Sequence, residues 1–170
     1  MDQSFEQLNQ LAADRAEAEF LKCCSSTRWA KGMTEARPFE DLKSLLSKAD
    51  EIWWSLGEDD WLEAFRAHPK IGEKKAATAQ SKQERNWSAN EQAGVATASS
   101  QIIAELAELN RRYDERFGFI FIVCAAGKSS GEMLQVLKSR IDNHAEAEVR
   151  IAAEEQSKIT RLRLEKMLQS

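Results

Sequence analysis

Little in this 170-residue chain breaks or staples a backbone: it has 2 Pro, 7 Gly and 3 Cys. So few turn formers exclude collagen-like and Gly/Pro-rich disordered chains, and they fit poorly with a sandwich of many short strands. Cysteine is too sparse for a disulfide scaffold. Cys23 and Cys24 are adjacent, Cys124 stands alone, and none has metal-ligand spacing to the only histidines, His68 and His144. Reduced thiols in a cytosol-like compartment are expected. No stretch approaches the roughly 18 apolar residues of a membrane span. Met1-Asp2-Gln3-Ser4 shows no basic region followed by an apolar one, and Leu168-Gln169-Ser170 does not match the Ser-Lys-Leu peroxisomal address. The expectation is a cytoplasmic chain, neither exported nor anchored. Positive charge is also lacking: 24 basic against 28 acidic residues give a net charge of -4 with no basic cluster, so nucleic acid is excluded as a partner.

What is present is helical periodicity. With 42% hydrophobic residues the chain can bury one core, and no repeat, low-complexity tract or linker divides it, so a single all-α domain over 1–170 is expected. Six helices are predicted. The first runs from Ser4, with Gln7 as capping-box partner, to about Cys23. The second begins at Pro38 and turns Phe39, Leu42, Leu45 and Leu46 inward. The third follows Gly57-Glu58-Asp59-Asp60, carries Trp61, Leu62 and Phe65, and stops before Pro69. Residues 70–87 read as a mobile connection. The fourth helix spans Ser88 to about Arg116, the fifth opens at Ser129 with Glu132 completing a capping box, and the sixth runs from about Ala145 to Leu168. Between the fourth and fifth, Phe117-Gly118-Phe119-Ile120-Phe121-Ile122-Val123-Cys124 is apolar apart from one Gly and must be buried.

Function is sought where polar groups interrupt faces that packing wants apolar, because burying them unpaired costs about 1–3 kcal/mol each. Three places qualify. The upper end of the fourth helix stripe carries Ser88, Glu91 and Gln92, which read either as a capping box or as a ligand site at a helix N-terminus. In the sixth helix Arg163 falls in the middle of the inward stripe of Val149, Ala152, Ala153, Ile159, Thr160 and Met167, while Arg161 points away. It reads as a paired or snorkelling structural arginine, or as a clamp for a ligand carboxylate. His68, fixed in extended backbone by Pro69, is a loop residue or a proton-transfer group. His144, in Asp142-Asn143-His144, reads as a surface residue. No nucleophile motif or phosphate loop is present, no two metal ligands fall at helical spacing, and the thiol of Cys124 inside its apolar run should be protonated and inert.

In chain order, Arg37-Pro38-Phe39, His68-Pro69, Trp87-Ser88-Ala89-Asn90-Glu91-Gln92-Ala93-Gly94, Leu109-Asn110, Tyr113, the run from Phe117 to Ala125 and Leu162-Arg163-Leu164 together resemble the 2-oxo-4-hydroxy-4-carboxy-5-ureidoimidazoline (OHCU) decarboxylases of urate breakdown. The resemblance covers nearly the whole chain. It implies an all-α fold, usually a homodimer, without metal or organic cofactor, that converts OHCU into (S)-allantoin and carbon dioxide. It further implies that His68 is catalytic with Pro69 beside it, that Ser88, Glu91 and Gln92 bind substrate, and that Phe121, Ile122, Val123, Cys124 and Ala125 make backbone contacts. The late arginine of the family falls on Arg163. The expected division of labour has His68 as the acid, oriented by Glu91, with Gln92 and Ser88 on the ureido and ring amides and Arg163 on an anionic or carbonyl oxygen. The competing reading is a non-catalytic helical interaction module whose polar interruptions are caps and ion pairs.

Overall fold

The computed structural model describes residues 3–70 and 99–169. Eight helices and no strand occur among them: α1 (Gln3–Gln10), α2 (Ala13–Cys23), α3 (Thr27–Glu35), α4 (Leu42–Ser55), α5 (Glu58–Arg66), α6 (Ser100–Phe117), α7 (Ser130–Arg140) and α8 (Ala145–Leu168). The all-α expectation holds. None of the described helices is long and apolar enough to cross a membrane. The chain divides into two compact units, one of residues 1–64 with 157–170 and one of residues 65–156.

In the first unit, the single N-terminal helix expected from Ser4 to Cys23 is two. The guanidinium of Arg37 donates through Nη1 to the carbonyls of Leu8 (2.9 Å) and Leu11 (2.7 Å), taking up helix-end carbonyls that a continuous helix would have used itself. Helix α3 was not anticipated, although its signal is present: Ser26 caps it by accepting from the Trp29 N–H, and Trp29, Ala30 and Met33 are wholly buried at helical spacing. Gly32 lets α3 lie close to α4, since a Cβ there would sit 3.1 Å from Ile52 Cγ2. Helix α4 starts at Leu42, not at Pro38, because Asp41 and Ser44 form a reciprocal capping box. Phe39 is therefore buried off the helix and Leu42 is 38% exposed, against the inward position expected for it. The core gathers Phe20, Trp29 and Phe39, whose rings meet edge to face at 6.1 and 6.3 Å, with Met33, Leu45 and Leu164. Each such side chain contributes about 1.5–3 kcal/mol by leaving water.

In the second unit, α6 begins at Ser100. Ser99 is extended (ψ 150°) and its side chain accepts from the Ile102 N–H, so the helix opens at a serine cap and the unbroken helix expected from Ser88 to about Arg116 is interrupted at Ser99; the part of that expectation before Ser99 lies outside the described residues. Leu106, Leu109, Asn110 and Tyr113 face inward. Gly118, at φ 75°, ends α6 by donating its N–H to the Asp114 carbonyl, a left-handed turn that favours glycine. The chain then runs through 119–125 in neither helix nor strand, with Phe119 and Phe121 to Ala125 all buried, while Phe117 and Ile120 are half-buried. Ser129 and Glu132 form the expected capping box of α7, and α8 keeps the bounds read from the sequence.

Candidate active site

His68 lies two residues beyond α5, where its N–H donates to the Phe65 carbonyl (3.1 Å), and Pro69 follows, both half-buried. The stop before Pro69 thus sits where expected, and it leaves the imidazole anchored by a helix end but outside the helix. Phe65, wholly buried, packs its ring 5.4 Å from that of Phe119. The ring of His68 is held by α8: Nε2 lies 2.6 Å from Oε1 of Gln156, a residue only 1% exposed. An amide oxygen only accepts, so in this hydrogen bond Nε2 carries the proton and donates it.

The next residue back on α8, Glu155, receives the backbone N–H of Cys124 at 2.7 Å. Consecutive side chains of one helix turn therefore hold both the histidine and the apolar run. Behind that run lies a buried charged frame. Arg140 of α7 donates Nη1–H to the Ile122 carbonyl (2.7 Å) and Nε–H to Glu148 of α8 (2.6 Å), while Tyr113 of α6 donates its hydroxyl to the same carboxylate (2.5 Å). Asn143 donates to the other oxygen of Glu148 at 2.9 Å, and the guanidinium lies 4.7 Å from the centre of the Phe121 ring. Burial pushes the Tyr113 hydroxyl far above its usual range, opposed by the charge of Arg140 and helped by the hydrogen bond to Glu148. It stays a donor throughout the physiological range.

This arrangement refines the expectation for the 121–125 segment. The sequence reading left Ile122 and Val123 as backbone contacts if the run escaped a sheet. The run is in no strand, yet the Ile122 carbonyl is engaged by Arg140 and the Cys124 N–H by Glu155. Lys128 closes the far end, its ammonium on the Cys124 carbonyl and its N–H on that of Ala125, both at 3.0 Å. No hydrogen bond among the described residues engages the N–H or C=O of Val123, which is 8% exposed. Buried peptide groups are nearly always paired, so this one is suited to complete its bonding on a ligand.

Arg163 belongs to the other unit. It is 6% exposed on the inward face of α8, as the helical wheel places it, while Arg161 points away to pair with Asp50 (2.6 Å). Its charge is felt by the neighbouring thiols Cys23 and Cys24, where it opposes the burial that pushes both upward, Cys24 to about 12. Both are protonated and unreactive at neutral pH. Ser88, Glu91 and Gln92 lie outside the described residues, as does the expected connection over 71–87. His144 is exposed, and no cluster of His, Cys, Asp or Glu able to hold a metal occurs among the described residues.

Gln156, Glu155, Glu148 and Arg140 were not anticipated as site residues. Three of them carried a signal: Gln156 falls in the apolar stripe between Ala153 and Arg163, Glu148 precedes Val149 at the same face, and Arg140 follows Met133 and Leu137 at helical spacing, all buried polar interruptions of the kind that singled out Arg163. Glu155, half-buried, shows no such mark.

Over residues 9–165 the chain matches the OHCU decarboxylase family. It is 40% identical over 158 residues to the uric acid degradation bifunctional protein TTL of Arabidopsis thaliana, covering 92% of this chain and 48% of that protein. Against two further bifunctional relatives, from Bacillus, it spans 31% and 32% of their length, so it corresponds to half or less of such proteins. It is 32% identical over 144 residues to the 2-oxo-4-hydroxy-4-carboxy-5-ureidoimidazoline decarboxylase of Amia calva, covering 82% of this chain and 79% of that one. Its fold is similar to a crystal structure of OHCU decarboxylase in the presence of (S)-allantoin, with a TM-score of 0.76 and 38% identity over 89% of this chain and 98% of the other. By the extent of these matches, this chain belongs to the OHCU decarboxylase family.

Proposed function

We propose that this chain is a cofactor-independent carbon–carbon lyase that decarboxylates OHCU to (S)-allantoin. The observation that supports it is the single turn of α8 that holds an imidazole through Gln156 and an irregular apolar backbone through Glu155. A proton-transfer group and a Val123 peptide that no described residue pairs, anchored by adjacent residues of one helix, suit a neutral ring rich in amides. OHCU bears its carboxylate on a carbon that also carries a hydroxyl and adjoins a C=N bond. When the bond to the carboxylate breaks, carbon dioxide leaves and the electron pair moves toward the C=N nitrogen, so the substrate contains its own electron sink. One proton is then taken up, and its delivery to one face sets the S configuration.

His68 supplies that proton, with Glu91 assigned the role of orienting it and Pro69 fixing the backbone. The N–H and C=O of Val123, with the neighbouring Phe121, Ile122, Cys124 and Ala125, form the planar backbone surface for the ring, and Ser88 and Gln92 meet the ureido amides. Arg163 binds an anionic or carbonyl oxygen of the substrate. The test is circular dichroism on OHCU generated freshly from urate: the protein accelerates the rise of one allantoin enantiomer, unchanged by a chelator, whereas racemic product at the spontaneous rate would refute the assignment. Arg163→Met, which keeps volume and apolar character, raises KM about tenfold or more while the melting temperature stays near that of the parent. Unfolding of that variant would mark Arg163 as structural instead. The enzyme is a cytoplasmic homodimer, and sedimentation at micromolar concentration reads its mass directly.

A further inference from the structure

We infer that Gln156 is a positioning residue that sets which nitrogen of His68 exchanges the proton, a step that rests on His68 being the acid. The argument is one of donor and acceptor inventory. A neutral imidazole carries one N–H and one lone pair, and the hydrogen bond made by one nitrogen decides the role of the other. Gln156 Oε1 stands 2.6 Å from Nε2 and has no proton to give through that atom. The ring therefore keeps its hydrogen on Nε2, and Nδ1 is the nitrogen that takes up and returns the catalytic proton.

The acceptor is also built to stay in place. Gln156 is 1% exposed in the interior of a 24-residue helix, flanked on its inward face by Ala152 and Ala153, both wholly buried. A glutamine so enclosed loses little further freedom when the ring binds it, so the imidazole's rotation is fixed before substrate arrives. The amide suits this task better than a carboxylate. An anion at the same distance would favour the imidazolium and weaken its readiness to release a proton, whereas a neutral carbonyl orients the ring without holding its charge. The preceding residue, Glu155, accepts the Cys124 N–H through Oε2, so adjacent side chains of α8 hold the backbone surface and the histidine.

The experiment reads the tautomer and the kinetics separately. Protein labelled with 15N-histidine gives long-range proton–nitrogen spectra for two rings, distinguished by a His144→Gln variant. The parent should show neutral His68 with its hydrogen on Nε2; a ring protonated on Nδ1 overturns the inference without any change to the site. Gln156→Leu should shift the ring toward a mixture of tautomers and lower kcat about 10- to 100-fold, part of the ~10²–10⁴ available from general acid–base help, with KM changed less than about twofold. Gln156→Glu, which keeps an acceptor oxygen but adds a charge, should keep hydrogen on Nε2 while extending the imidazolium form to higher pH. Parental kcat and an unaltered tautomer in Gln156→Leu would reduce Gln156 to a packing residue. Inactivity of His68→Asn alongside that result would leave the decarboxylase reading standing, while full activity of His68→Asn would remove the decarboxylase mechanism itself.

Discussion

His68→Asn is expected to lower kcat for OHCU decarboxylation by about 10²–10⁴, the range general acid–base catalysis supplies, and to leave the melting temperature nearly unchanged. The asymmetry follows from where the ring sits. His68 is half-buried after the end of α5, and its backbone N–H closes the helix whatever the side chain. Asparagine offers an amide N–H toward Gln156 Oε1 but has no group that gains and loses a proton near neutral pH. Spontaneous decay of OHCU gives product without a protein, so the decisive readout is handedness: the variant should yield allantoin with little optical activity. If it forms one enantiomer at the parental rate, the proton comes from another group and His68 is only a loop residue held by a glutamine.

The second large effect is on stability. Arg140→Met should cost about 3–5 kcal/mol, because it leaves the carboxylate of Glu148, wholly buried, without the guanidinium that compensates it. For a chain of this size that is a fall of roughly 6–20 °C in melting temperature. The same substitution removes the donor to the Ile122 carbonyl, so the 119–125 run loses an anchor as well as the frame losing its charge balance. Adding Glu148→Gln to Arg140→Met should restore part of the loss, since the remaining buried groups are then neutral and Tyr113 and Asn143 still find an amide. A single-variant cost below about 1 kcal/mol, or strict additivity in the double variant, would show that water reaches the pair and that it does not brace the run.

The two effects separate functions that lie within one sequence segment. The 119–125 run is apolar enough to be driven inside by solvent alone, at about 25 cal/mol for each Å² removed. Apolar burial has no direction, however, and it does not say which peptide groups find partners in the chain. Arg140, Glu155 and Lys128 decide that by occupying the Ile122 carbonyl, the Cys124 N–H and the carbonyls of Cys124 and Ala125, which leaves Val123 as the peptide between them. In a regular strand those bonds would have been spent on a neighbour.

Much of the helix content is legible in local chemistry. The Ser129 and Glu132 capping box, the Gly118 terminus, the stop before Pro69 and the full length of α8 follow from groups within four residues of one another. Misplaced boundaries share one cause, a competing cap or a partner remote in the chain. Asp41 and Ser44 outweigh Pro38 as a start, Ser99 caps a helix expected to run on, and Arg37 takes the carbonyls that would have joined α1 to α2. Of the expected site residues, His68 and Arg163 stood out because a histidine before proline and a charge on an oily stripe break local rules.

The amino-acid order alone, then, determined the helical class, the burial of the run after α6 and the family. Only the tertiary structure decided what the polar residues touch: that Gln156 faces the imidazole, that Glu155 holds the Cys124 peptide, and that Arg140 and Glu148 meet inside. Helical periodicity states which side of an element is buried, because that depends on spacing along one chain segment. A hydrogen bond between residues 88 apart, such as that from His68 to Gln156, depends on the packing of separate elements to within a few tenths of an ångström, which no local pattern encodes.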